Sequence, residues 1–322
     1  MRKLTQKLVL SVVTMALVVV ALGTSTFAWF TLTNEAQLGS FEGQIVAGTG
    51  IEVSLDNYRW FNGLTTKQME DYLFDGGFPQ GPSGIDTAKY GTGFRWNAIT
   101  SKNGINMINL DESDAANSSF IEFTLYFRSE AAGTINWTSV LLGGAAKSWV
   151  PDATFVGSTG ETVTVGNSYN VFAKNGARVS VTGSVSSVAT TVIYQLPPET
   201  SSTSVSGNQT TFGHVTGGQA KYWEAKNPGQ TFADFVEAQL TDNSVTPYEV
   251  PATDSGEAFE AAAAAVTTLG SGVPVLTLAA PSAGSYSVGS VTIRVWLDGW
   301  DADTFNALFN AYLSASLEFK VV

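Results

Sequence analysis

The 322-residue chain contains no cysteine and only one histidine, His214. Without cysteine there are no disulfides, so the fold must rest on a hydrophobic core. Thiolate chemistry is excluded with it. A single histidine removes the paired imidazoles of a zinc hydrolase. It leaves a Ser-His-Asp triad only His214, in a Ser/Gly-rich stretch with no nucleophile elbow. Charge is also scarce, 14% of residues against about 25% in an average protein. What charge there is leans acidic, 28 Asp and Glu to 16 Lys and Arg, for a net of −12. A surface of that sign repels nucleic acid and anionic lipid and keeps a chain soluble. Nucleic acid is therefore not an expected partner.

Long hydrophobic runs are few, and the clearest is at the start. Arg2, Lys3 and Lys7 precede an uncharged run, Leu8 to Ala28. Its apolar part, Leu8 to Leu22, is shorter than the roughly 20 residues that span a hydrocarbon core. A basic n-region, an apolar h-region and a small-residue junction make a signal peptide over 1–28, cleaved between Ala28 and Trp29. A retained anchor is the alternative, with Gly23 to Phe30 lengthening the apolar run. Losing the three basic residues of the leader moves the net charge from −12 to −15. The expected location is extracellular or on the cell surface.

The chain as a whole is 44% hydrophobic and rich in Gly, Ser, Thr, Val and Ala, the composition of short strands joined by many turns. Ser40 to Leu55 alternates as two strands broken at Gly48-Thr49-Gly50. Thr65 and Gln68 form a capping box for a helix to Phe74, stopped by Gly76-Gly77. Phe120 to Arg128 turns Ile121, Phe123, Leu125 and Phe127 inward, and Thr134 to Leu142 is expected as its hairpin partner. Strands are predicted at Phe155–Val165, Ala177–Gly183 and Thr190–Leu196. Helices are predicted at Thr231–Leu240 and, from its alanines, at Glu257–Leu269. Val291, Ile293, Val295 and Leu297 form one strand face. Asp301 then caps a helix bearing Phe305, Leu308, Phe309 and Tyr312, and Leu313 to Val321 is the last strand. The fold class is mainly β: a jelly-roll-like β-sandwich over 29–322, with helical and loop insertions around 60–115 and 197–285.

Few residues suggest chemistry. No carboxylate pair stands out for glycoside hydrolysis. Asp298, Asp301 and Asp303 are the best calcium candidates, with Asp111, Glu112 and Asp114 second; neither spacing matches an EF-hand ladder. The competing reading is turn and cap aspartates. No catalytic residue and no cofactor-binding residue is identified, so the chain does not read as an enzyme.

Three places resemble the TasA/camelysin group of secreted matrix proteins. They are the junction Thr26-Phe27-Ala28-Trp29-Phe30 followed by Asn34, Phe41 and Gly43, the stretch Phe120 to Leu142, and a closing strand pair ending Leu317-Glu318-Phe319. The segment Trp296-Leu297-Asp298-Gly299-Trp300 and the helical insertions depart from that pattern. The resemblance implies a jelly-roll-like subunit of an extracellular fibre or biofilm matrix. It implies that the mature N-terminal segment, here Trp29, Phe30 and Leu32, completes the sheet of the next subunit. The partner is then the chain itself, with other matrix or surface components besides. A second expectation is a surface adhesin or carbohydrate-binding sandwich, with Trp296 and Trp300 stacking on sugar.

Overall fold

The computed structural model describes residues 41–78, 88–91, 94–101, 103–109, 113–157, 162–197, 218–232, 265–299 and 311–322, with 301, 303, 304 and 306–308 between the last two segments. By contact the chain divides into residues 1–35 and 36–322, and every described residue belongs to the second unit. The leader, the junction Ala28/Trp29, the arm residues Trp29, Phe30 and Leu32, and also His214 and Trp300, lie outside the described residues.

The protein is mainly β, a sandwich of two mixed sheets. In chain order the strands are β1 (Phe41–Ala47), β2 (Glu52–Ser54), β3 (Gly63–Leu64), β4 (Ala98–Thr100), β5 (Ile108–Asn109), β6 (Ile121–Ser129), β7 (Gly133–Gly143), β8 (Lys147–Trp149), β9 (Phe155–Val156) and β10 (Thr162–Val163). They continue as β11 (Tyr169–Val171), β12 (Ala177–Val185), β13 (Val188–Gln195), β14 (Ala265–Val266), β15 (Val273–Leu278), β16 (Ser287–Asp298) and β17 (Leu313–Val321). One sheet runs β15-β7-β17-β1-β3. The other runs β14-β13-β12-β16; beyond β16 lie β6 and β2 along most of its length, and β4 and β5 at its end. Val273–Leu278 falls inside the second expected insertion, yet as β15 it is a strand of the first sheet, paired with β7.

Period-two alternation places the core. Ile121, Phe123, Leu125 and Phe127 of β6 are buried, as are Val291, Ile293, Val295 and Leu297 of β16. These two strands pair over nine positions, Ser287↔Ser129 to Val295↔Ile121. From the facing sheet come Ile135 and Trp137 of β7 and Leu313, Ala315, Leu317 and Phe319 of β17. Phe319 meets Phe127 edge-on at 5.2 Å and stacks on Trp137 at 6.5 Å, and Trp137 meets Tyr194 at 6.2 Å. Each fully buried large side chain contributes about 1.5–3 kcal/mol. A shift of register between Glu318 and Phe319 marks a bulge on β7 at Thr138, whose hydroxyl donates to the Glu318 carbonyl. One extra residue reverses the pleat. That is why Ile135 and Trp137 before the bulge and Leu142 after it are all buried, while Leu141 is exposed.

The expected hairpin between β6 and β7 does not form. β6 pairs with β16 and β2, and β7 pairs with β15 and β17. Residues 130–132 carry the chain from one sheet to the other. The closing pair is corrected in the same way, since β16 and β17 lie in opposite sheets. Alternation gives the inward face of each strand but is identical for a hairpin and for a crossing. The strands before and after the Gly48–Gly50 break also go to different sheets.

The capping box at Thr65 and Gln68 is present in both directions and starts α1 (Thr66–Glu70). A π-helical turn, Asp71–Asp75, follows and ends at Gly76 with φ +73°. Positive φ favours glycine there. Two predicted helices are corrected. In the stretch 257–269, Ala265 and Val266 are strand β14, parallel to Ile193 and Tyr194; 257–264 lie outside the described residues. Alanine propensity yields where an open sheet edge offers backbone partners. After Asp301 the described residues form a 3-10 turn, Asn306–Leu308, and Ala311–Tyr312 are not helical. Of Thr231–Leu240 only Thr231 and Phe232 are described.

Two additions cover the sandwich. Residues 103–107 and Phe120, on either side of β5, lie on the outer face of the second sheet, where Ile99, Met107, Phe120, Ile193 and Trp296 form a second apolar cluster. Earlier in this first insertion, the Tyr90 hydroxyl accepts the Glu122 amide N–H at 2.7 Å and donates to the Glu122 carbonyl at 3.1 Å. Burial pushes its pKa up to about 12. A separate lobe joins β8 to β11 with α2 (Gln219–Lys226), packing Trp149, Phe155 and Tyr222 ring to ring.

Candidate functional site

The three calcium candidates do not converge. Asp301 is 1% exposed and its Oδ2 takes the Arg178 guanidinium at 2.6 Å, while its Oδ1 takes the Asp303 amide N–H at 2.8 Å. Asp298, also 1% exposed, accepts from the Trp296 indole and the Thr100 hydroxyl, both at 3.2 Å. Among the described residues no group of three His, Cys, Asp or Glu could hold a metal ion. Of the second cluster, Asp111 and Glu112 lie outside the described residues, and Asp114 is exposed.

Trp296 is not an exposed sugar platform. It is fully buried, packed with Ile99, Met107, Phe120 and Ile193. The outward face of β12 and β16 there is a polar layer: Arg178 with Asp301, Ser180 donating to the Gly104 carbonyl at 2.7 Å, and Arg294 with Glu122 at 2.8 Å. The Gly104 carbonyl that takes the Ser180 hydroxyl also accepts from Arg294 Nη1 at 3.4 Å, and the residues around it pack over the tryptophan.

Two surface features remain. The first is the edge of β13, open over part of its length among the described residues. The β12–β13 hairpin turns at Ser186 and Ser187, with φ of +49° and +67°. Left-handed φ at both central residues is the type I′ geometry. Val185 and Val188 therefore close the ladder, and alternate residues beyond them face away from β12. By that count Ala189 and Thr191 turn their N–H and C=O outward. Among the described residues only Ile193 and Tyr194 are paired on that side, by β14. Other edges are blunted. β15 carries Pro274 at its edge, β2 and β5 are three and two residues long, and α1 packs alongside β1. The open run Val188-Ala189-Thr190-Thr191-Val192 has no charge and no proline, the usual guards of an edge.

The second is a cleft of about 620 Å³ at one end of the sandwich, lined by Glu52, Asn62, Arg128, Glu130, Tyr286 and Val321 among others. β2 and β6 put Glu52 opposite Arg128, and the Arg128 Nε binds the Glu52 carboxylate at 2.5 Å. The guanidinium carbon lies 4.3 Å from the Tyr286 ring centre and 4.8 Å from that of Trp60. A flat cation between two aromatic faces is held electrostatically by both. Tyr286 remains 44% exposed. Spacing did not reveal this group, since its members are 52, 60, 128 and 286 in the chain. The outward Arg128 of the alternating strand was the one available signal.

No family model, no curated protein and no solved structure matches this chain. Among the described residues no helix is long and apolar enough to cross a membrane.

Proposed function

We propose that the chain is a non-enzymatic structural subunit of an extracellular fibre or surface matrix, exported through its 1–28 leader. Its sandwich is jelly-roll-like, because successive strands keep crossing between the sheets: β1 to β2 to β3, β6 to β7, and β15 to β16 to β17. Subunits join when the segment beginning at Trp29 adds to an open sheet edge of the next copy.

The observation that carries this reading is the β13 edge over Val188–Val192, unpaired among the described residues and without charge or proline. Strand addition takes affinity from main-chain hydrogen bonds and specificity from alternate side chains. The donor Trp29-Phe30-Thr31-Leu32-Thr33-Asn34 is uncharged, as is the edge, and is one residue longer than Val188–Val192. Phe30 and Leu32 share one face of the added strand and Trp29 lies on the other. Burying two large apolar side chains contributes about 1.5–3 kcal/mol each, partly offset by ordering the arm.

The test uses the mature protein, its deletion of residues 29–34, and Thr191→Pro. Electron microscopy and sedimentation should show filaments for the first and folded, soluble monomers for the other two. Filaments from the deletion variant would refute the donor arm. Filaments from Thr191→Pro alone would move the acceptor away from β13.

A further inference from the structure

The cleft beside Arg128 lies away from the β13 edge and plays no part in strand addition. We propose that it is a binding site for a neutral saccharide, with Tyr286 as the stacking platform.

The side chains in and around it select the ligand class. An aromatic face is negatively polarised, and the C–H groups on one side of a sugar ring are positively polarised, so the two attract. Arg128 occupies one face of Tyr286 and fixes the ring, since its guanidinium is pinned by Glu52 and by Trp60. Almost half of Tyr286 is still open to a ligand. Around it the cleft offers the kinds of group that bind hydroxyls: carboxylates from Glu52 and Glu130 as acceptors, the Asn62 amide as both donor and acceptor, and guanidinium N–H groups as donors. Among the described residues, the guanidinium's hydrogen bond is the one from Nε to Glu52, and none takes up the two Nη atoms of Arg128. The volume is within the roughly 300–1,000 Å³ of small-molecule sites.

Charge separates the alternatives. Two glutamates face one arginine, and that arginine is already paired, so an anionic ligand meets net repulsion. A cationic ligand would use the carboxylates but leave the arginine and its donors unused. A neutral polyhydroxylated ligand uses donors, acceptors and ring together.

The site is tested with three soluble probes, cellohexaose, maltohexaose and chitohexaose, and a tetralysine peptide as the cationic control. Each is titrated into the mature protein, followed by calorimetry and by tryptophan fluorescence, for which Trp60 is the nearest reporter. The variants are Tyr286→Ala and Tyr286→Phe, with thermal melts to confirm folding. At least one hexasaccharide should bind. Tyr286→Ala should weaken it by roughly tenfold or more, and Tyr286→Phe, which keeps the platform, by less than about threefold. No binding by any of the three overturns the proposal. So does saccharide binding that Tyr286→Ala leaves unchanged, or binding of tetralysine alone, which would make the cleft an acidic docking site. These outcomes are read on folded subunits and are independent of filament formation.

Discussion

Replacing Asp301 with alanine should destabilise the domain by about 3–5 kcal/mol, the cost of removing one partner from a buried ion pair. Arg178 and Asp301 are 2% and 1% exposed and meet at 2.6 Å. Arg178 lies within β12, paired with Trp296 on one side and Gln195 on the other, so its guanidinium has no short route to water. Its other recorded bond, from Nη1 to the Ala177 carbonyl at 3.2 Å, does not neutralise the charge. The substitution also frees the Asp303 amide N–H from its acceptor. Domains of this kind are stable by only about 5–15 kcal/mol, so the loss is a large fraction of the total. Replacing both partners, as Arg178→Met with Asp301→Leu, should be neutral or stabilising by about 1–4 kcal/mol, because no unpaired charge remains. Urea unfolding of the wild type, both single variants and the double variant gives the coupling directly, provided the denaturant slope is unchanged. An Asp301→Ala cost below about 1 kcal/mol with an unchanged slope would mean that water reaches Arg178. The argument from burial would then be wrong.

Three further outcomes follow from the geometry. Ser187→Gly removes a side chain from φ +67° and should stabilise the β12–β13 hairpin by about 0.4–1 kcal/mol, read from the urea midpoint; destabilisation would mean the Ser187 side chain makes a needed contact. Tyr90, raised to about 12 by burial, should make the domain lose stability as pH rises from its unfolded pKa near 10. Folded tyrosine keeps its proton in that window and the unfolded chain does not, so Tyr90→Phe should flatten the alkaline limb, and an unchanged limb would refute the assignment. Calcium added to chelator-treated protein should leave the melting midpoint where it was, because Asp301 is held by Arg178 and Asp298 by Trp296 and Thr100. A concentration-dependent rise would instead demonstrate a site elsewhere on the acidic surface.

Local signals in the sequence were legible where one residue's neighbours decide its state. Thr65 and Gln68 cap their helix, Gly76 ends it, and the inward residues of β6 and β16 are those that alternation picks. Pairing was not legible. Ala131-Ala132-Gly133 looks like a hairpin turn, yet the strands on either side of it belong to different sheets, a fact that depends on β16 occupying the edge of β6. Ala265, at the end of an alanine run that favours helix by propensity, pairs with β13 instead. Asp301 looked like a cap or a calcium ligand because the arginine that claims it is 123 residues away in the chain. Trp296 alternated outward correctly, but only the folded insertion shows that outward does not mean exposed.

The pairing of β1 with β17 has a consequence for how the chain is made. Phe41 lies beside Leu313, and the parallel register continues to Ala47 beside Phe319. β17 is also the strand that joins β1 to β7. The first sheet therefore cannot be assembled until the chain has been made as far as β17. Contacts this distant in sequence are slow to form, and a partly made chain would hold Trp137 and Ile135 without the strand that covers them. A sheet whose central strand lies so far along the chain from its neighbours stays open until that strand is present, and it locks only afterwards. Its topology acts as a timer, and the long interval before locking is when a holding chaperone would matter most.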